Sequence, residues 1–211
     1  MSTDPVAAKQ KRIGVFGGAF DPPHQAHLTL AKTAVATLEL DELRVIPTGH
    51  AWHKERALSG PEHRLAMTKL AFEGMPHVLV DDRELRRPGP TFTIDTLEAL
   101  QAENPLAQLY LIMGADQFAV FRQWQRWKAI LEIAIICIAD RATPVGAAAN
   151  FGADFGFENR FVRLSTPLMP VSATALRLAL ARAAPDTSET ASLVSDPVAR
   201  YISLNRLYRP Q

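Results

Sequence analysis

The sequence predicts an α/β domain built on a parallel sheet with helices on both faces. Segments of strand character alternate with segments of helical spacing along the whole chain. The strands are near-continuous apolar runs such as "IAIICIA", the pattern of strands covered on both faces. The first strand also runs directly into paired glycines, Gly17 and Gly18. Their missing Cβ atoms permit unusual backbone angles and close approach of a ligand.

Element by element, "KRIGVFGG" reads as the first strand. In "AHLTLAKTAVATLEL" the residues Leu30, Ala34, Val35 and Leu38 fall at helical spacing. "ELRVIPTG" is a second strand. "SGPEHRLAMTKLAFEG" is a helix with Ser59 and Glu62 in capping-box register and Pro61 in its first turn. "HVLVDD" is a third strand, and "TIDTLEALQAE" a helix whose Ile94, Leu97 and Leu100 share a face. "QLYLIMGAD", "IAIICIA" and "RFVRLS" are the fourth, fifth and sixth strands, with "FRQWQRWKAIL" mostly helical after the fourth. "SATALRLALARA" is a helix capped by Ser172, and "DPVARYISLNRLY" a closing helix with Asp196 as N-cap and Pro197 at its first position. The whole chain, 1–211, reads as one domain, with residues 1–10 a flexible polar arm and 141–159 a mobile surface loop.

Composition narrows the function. The chain is 47% hydrophobic and 21% charged, with 23 basic against 22 acidic residues. That balance gives no reason to expect nucleic-acid binding, and no run is apolar over the roughly 18 residues that a membrane span requires. The polar N-terminal residues do not form a signal peptide. The lone cysteine, Cys137, sits in an apolar strand, where it acts as a small hydrophobe and suits a reducing cytoplasm.

Two helix starts carry the candidate chemistry. In "GGAFDPPHQAH" a helix begins near His24, so unpaired backbone amides favour an anion there. His24 and His27, three apart, share a face and suit a phosphate whose charge grows during reaction. A zinc pair is the alternative, with Asp21, His50 and His53 as further ligands, but no H-E-x-x-H or Cys-x-x-Cys pattern supports it. Ordinary turn histidines are the plain alternative. In "VSATALR", Ser172, Thr174 and the first amides could take phosphate oxygens, with Arg177 one turn on; a capped surface helix would look the same.

Together, these stretches resemble the nucleotidyltransferase superfamily with H-x-G-H near one end and I-S-S-T-x-x-R near the other. Within it the chain resembles bacterial nicotinate-nucleotide adenylyltransferases, also through "IPTGHAWHK", "DDRELRRPGPTFTIDTL", "LIMGADQFAVFRQW" and "YISLNRLY". The resemblance covers Gly14 to about Tyr208. It implies a Rossmann-like nucleotidyltransferase fold with a small C-terminal helical portion, and transfer of AMP from ATP to nicotinate mononucleotide with Mg²⁺. It implies catalytic roles for His24, His27 and Arg177. ATP would also contact Gly17, Gly18, Phe20, Asp21, Gly114, Asp116, Ser172 and Thr174. Nicotinate mononucleotide would meet His53, Lys54, Thr93, Trp124 and Arg141. No protein-bound metal is expected; homo-oligomers are compatible with this reading. The alternatives are nicotinamide mononucleotide or phosphopantetheine as acceptor, a nonenzymatic nucleotide sensor, and a zinc hydrolase. Three positions depart from the pattern: Ala26 and Ala173 replace a glycine and a serine, and Trp52 replaces a proline.

Overall fold

A computed structural model describes residues 9–49, 58–141, 158–167, 173–182 and 193–209. Strand β1 (Arg12–Gly18) lies inside the sheet, flanked by β2 (Glu42–Pro47) and β4 (Gln108–Gly114). The strand order is β3-β2-β1-β4-β5-β6, every pairing parallel, with β3 at Val78–Val80, β5 at Ala134–Arg141 and β6 at Phe161–Thr166. The chain builds outward from β1 to β3, then returns to build outward from β4 to β6. Order therefore reverses between β1 and β4, and a crevice opens beyond their carboxyl ends, where ligands bind in such sheets.

The strands divide two hydrophobic cores by simple alternation. Ile13 and Val15 of β1 face one core, together with Leu109, Leu111 and Met113 of β4. Phe16, Tyr110 and Ile112 face the other. Gly14 shares that second face, and a Cβ there would stand 2.6 Å from Leu40 and 2.7 Å from Leu43. Helices α4 (Thr93–Glu103) and α6 (Trp127–Ile133) cover the first face, and the predicted stripe Ile94, Leu97 and Leu100 is fully buried there. The other face is covered by α1 (Gln25–Thr37), α2 (Pro61–Phe72), α7 (Ala173–Arg182) and the closing α8 (Asp196–Leu204). Leu30, Ala34 and Leu38 are buried there as their spacing predicts, and Val35 packs at the rim.

Several local expectations are corrected. Helix α2 is capped by Gly60, not Ser59, whose amide instead donates to Asp21 Oδ2 (3.3 Å). Helix α8 is capped by Ser195, so Asp196 and Pro197 are its first two residues. Two short helices, α3 (Arg83–Arg86) and α5 (Ala115–Ala119), follow the third and fourth strands. "FRQWQRWKAIL" is mostly helical, as its spacing predicts, but in two pieces: a 3₁₀ turn at Phe121–Gln123 is separated from α6 by Arg126 in the left-handed region (φ 52°). That break lets Phe121 bury completely while Trp124 turns to the crevice. Gly17 and Gly18 are regular strand residues, and the positive φ (46°) falls on Phe20. Arm residues 1–8 and loop residues 142–157 lie outside the described set.

Candidate active site

A cavity of about 910 Å³ occupies the crevice between β1 and β4, within the range that small-molecule sites use. Gly17 and Gly18 form its floor. A Cβ on Gly17 would project into open space, whereas one on Gly18 would press on the Phe20 ring at 2.9 Å. Phe20 lines the cavity but is buried, edge-on to the Phe16 and Phe72 rings.

The two histidines meet over this floor. His24 caps α1, and its backbone N–H donates to Nδ1 of His27 (3.1 Å). An accepting Nδ1 puts the proton of a neutral His27 on Nε2. The two rings stack with centroids 3.8 Å apart, and Phe20 meets His27 edge-on at 5.1 Å. His24 is buried, and burial pushes its pKa down to about 4. It is therefore neutral at neutral pH, and its buried Nδ1 has no partner among the described residues. The helix start is less open than the sequence implies, because the Gln25 amide donates to the Leu193 carbonyl (2.9 Å). More of any anion binding at this end falls to the imidazoles.

The C-terminal stretch reaches the same point. Arg177 Nη1 donates to the carbonyl of Asp21 (2.7 Å), and Nη2 to the hydroxyl of Thr174 (3.0 Å). Thr174 lines the cavity, and Arg177 bonds both to it and to Asp21, another lining residue. Asp21 also lines the cavity, but it is buried, and its carboxylate accepts the Tyr208 hydroxyl (2.6 Å) as well as the Ser59 amide. Burial and this carboxylate together raise the Tyr208 pKa far above its ordinary value.

Gly114 and Asp116 line the wall where β4 passes into α5. Thr93 opens α4, and Trp124 packs on Phe121 with ring centroids 5.6 Å apart; both line the cavity. The two departures Ala26 and Ala173 are wall residues too. His53, Lys54, Ser172, His50 and Trp52 lie outside the described residues, as does the side chain of Arg141, whose backbone pairs with Thr166. Cys137 is fully buried on β5 and burial pushes its thiol up to about 12, so it is inert.

Three polar residues near the site went unassigned in the sequence. Buried Arg64 on α2 donates to the carbonyls of Thr48 (2.7 Å), Ala19 (3.2 Å) and Ser59 (3.1 Å). Buried Glu84 lines the cavity, accepts the Thr96 hydroxyl (2.9 Å), and has its pKa raised by burial. Tyr208 is the third. Arg64 was findable: with Met67, Thr68 and Ala71 it falls at i, i+3, i+4, i+7, on the buried face of its helix.

A cytidylyltransferase-like family model matches residues 15–179. A protein of Albidiferax ferrireducens described as "Probable nicotinate-nucleotide adenylyltransferase" is 54% identical over 94% of this chain and 98% of its own length. A Methylibium petroleiphilum protein of the same description is 40% identical over 97% and 95%. Among solved structures, Plasmodium falciparum nicotinic acid mononucleotide adenylyltransferase complexed with APC superposes with a TM-score of 0.73 at 20% identity, covering 94% of this chain and 98% of that one. The same enzyme complexed with NaAD gives 0.71 at 18% identity, again covering 94% and 98%. These structural likenesses bear on the fold.

Proposed function

We propose a function from one premise: the chain belongs to the cytidylyltransferase-like family and, within it, to the nicotinate-nucleotide adenylyltransferases. It transfers AMP from ATP to nicotinate mononucleotide, forming nicotinate adenine dinucleotide and pyrophosphate. The observation that carries the mechanism is the junction of the two helix starts, with stacked His24 and His27 beside Thr174 and the Arg177–Asp21 bond.

The acceptor's 5′-phosphate attacks the α-phosphorus of ATP in line, and pyrophosphate leaves. A phosphate monoester is already an anionic nucleophile, so the protein needs no base or covalent nucleophile. It supplies position and charge stabilisation. His24, kept neutral by burial, and His27 donate N–H to the α-phosphate oxygens as charge builds on them. Arg177 holds the Thr174 hydroxyl at the wall beside the leaving phosphates, and Arg177 and Ser172 bind those phosphates. Gly17 and Gly18 let the nucleotide approach the floor closely, with Phe20 and Asp21 shaping the turn. Gly114 and Asp116 take the ribose and adenine. Thr93, Trp124, His53, Lys54 and Arg141 hold the pyridine nucleotide.

Mg²⁺ brought by ATP would supply screening of the phosphate charge that the chain's own donors share. Among the described residues no group of three His, Cys, Asp or Glu side chains could cage a metal. No described helix is long and apolar enough to cross a membrane. The lone cysteine supports placing the reaction in a reducing cytoplasm.

The decisive test incubates the protein with ATP and Mg²⁺ and, separately, nicotinate mononucleotide, nicotinamide mononucleotide or phosphopantetheine, with mass-spectrometric detection of product. Nicotinate adenine dinucleotide should dominate. Equal use of acid and amide, or no dinucleotide, would overturn the assignment.

A further inference from the structure

We infer that Arg64 is a positioning residue that sets the two substrate ends of the cavity in register, an inference that rests on the adenylyl-transfer reading above. Arg64 is 3% exposed. Burying a guanidinium is costly unless its donors are satisfied. Here they go to main-chain carbonyls of three separate segments: Ala19 in the turn after β1, Thr48 just after β2, and Ser59 just before α2. Ala19 and Thr48 both line the cavity. A fourth bond runs between the same segments, from the Thr48 amide to the Gly18 carbonyl (2.8 Å).

The segments so joined have different tasks. The turn after β1 leads to Asp21 and the histidines. The segment after β2 continues through Gly49, where a Cβ would stand 2.2 Å from the Glu84 carbonyl oxygen. Glu84 in turn accepts the Thr96 hydroxyl on α4, the helix that Thr93 opens. Arg64 thus begins a continuous chain of close contacts from the phosphate end to the acceptor end. In-line transfer depends on the relative placement of two bound molecules, and a misplacement of about 1 Å costs about 10²-fold in rate. A planar guanidinium can fan donors to three carbonyls; an ammonium is a compact charge without that fork.

The test is Arg64→Lys, read by steady-state kinetics and by amide hydrogen exchange. Turnover should fall about 10²-fold while both Michaelis constants stay within roughly threefold of wild type. Exchange should quicken at Thr48 and through residues 18–21, with the centres of β1, β4 and α4 protected as before. Wild-type turnover overturns the inference. So does a loss of protection throughout the sheet, which marks a merely structural arginine, or unchanged exchange at Thr48. If the wild-type protein makes no dinucleotide from any acceptor, the functional reading falls by itself. The exchange comparison then still decides whether Arg64 holds the two segments together.

Discussion

At the His24–His27 end of the cavity the wall is tied down by partners distant in sequence: Arg177 and Tyr208 on Asp21, Arg64 on Ala19, and Leu193 on the Gln25 amide. At the Trp124 end the lining side chains lean on near neighbours, with Trp124 on Phe121 and the α4 start turning back on Phe92, and a longer tie runs through Thr96 and Glu84. The difference matches the tasks proposed for the two ends. Holding reacting phosphates demands fixed donors, because stabilisation arises only where donors are already aimed at developing charge. Holding a flat ring demands only a surface of the right shape and electronic character. Damage at the first end should therefore appear in turnover, and at the second in the Michaelis constant of the acceptor.

The strongest way to break this comparison is at the histidines. His24→Ala or His27→Ala should lower turnover by about 10²–10³, as loss of one preorganised donor does elsewhere, with a far smaller effect on ATP binding. Near-normal turnover in either variant would remove that histidine from the mechanism.

The same burial predicts a pH effect on stability. Burial lowers His24 from 6.5 to about 4, so folding favours the neutral ring. Its contribution is complete above pH 6.5 and is lost as pH falls from 6.5 towards 4, where the folded protein must also take up the proton. The loss between pH 7 and pH 4 is about 3 kcal/mol. Urea unfolding at the two pH values should show a drop smaller by about that amount in His24→Gln. An identical drop in both proteins would mean that His24 titrates normally.

Tyr208→Phe sharpens the comparison at its distant tether. It removes the hydroxyl that donates to buried Asp21. Hydrogen bonds to charged groups contribute about 1.5–3 kcal/mol, so unfolding free energy should fall by about that much. Turnover should fall with it while the acceptor's Michaelis constant holds. A change confined to the acceptor would contradict the division of labour between the two ends.

How much of this was legible in the sequence follows from the range of each interaction. The sheet and its helices were readable because alternation and helical spacing are local signals, as Ile94, Leu97 and Leu100 illustrate. The meeting of His24 with His27 was readable because three residues separate them. Helix caps at Gly60 and Ser195 were misread because adjacent residues competed for the role and tertiary contacts decided: the Ser59 amide is held by Asp21. The bonds of Arg177 and Tyr208 to Asp21 span 156 and 187 residues, and no local pattern encodes such pairings. Arg64 lay in between, with its burial visible in helical spacing but its three carbonyl partners not.

The smallest expected effect lies at Trp124. The pyridinium ring of the acceptor carries positive charge, and an indole face attracts a cation by about 0.5–2 kcal/mol. Trp124 lines the cavity while its ring leans on buried Phe121, so it offers a surface held in place by the core. Trp124→Ala should raise the Michaelis constant for nicotinate and nicotinamide mononucleotides by about 2- to 30-fold, the same free energy expressed as affinity, and leave that for ATP nearly unchanged. The acid-over-amide preference should survive, because the ring is the same in both and an indole face cannot distinguish their substituents. That preference needs N–H donors, which accept a carboxylate's two oxygens but meet the amide's own hydrogens unfavourably. The start of α4 at Thr93, which also lines the cavity, is the candidate source. The ratio of specificity constants for acid and amide, measured in wild type and Trp124→Ala, separates the two roles. A collapse of that ratio in the variant would make Trp124 the reader of the carboxylate's environment, and an effect confined to ATP would place it with the ATP-binding residues instead.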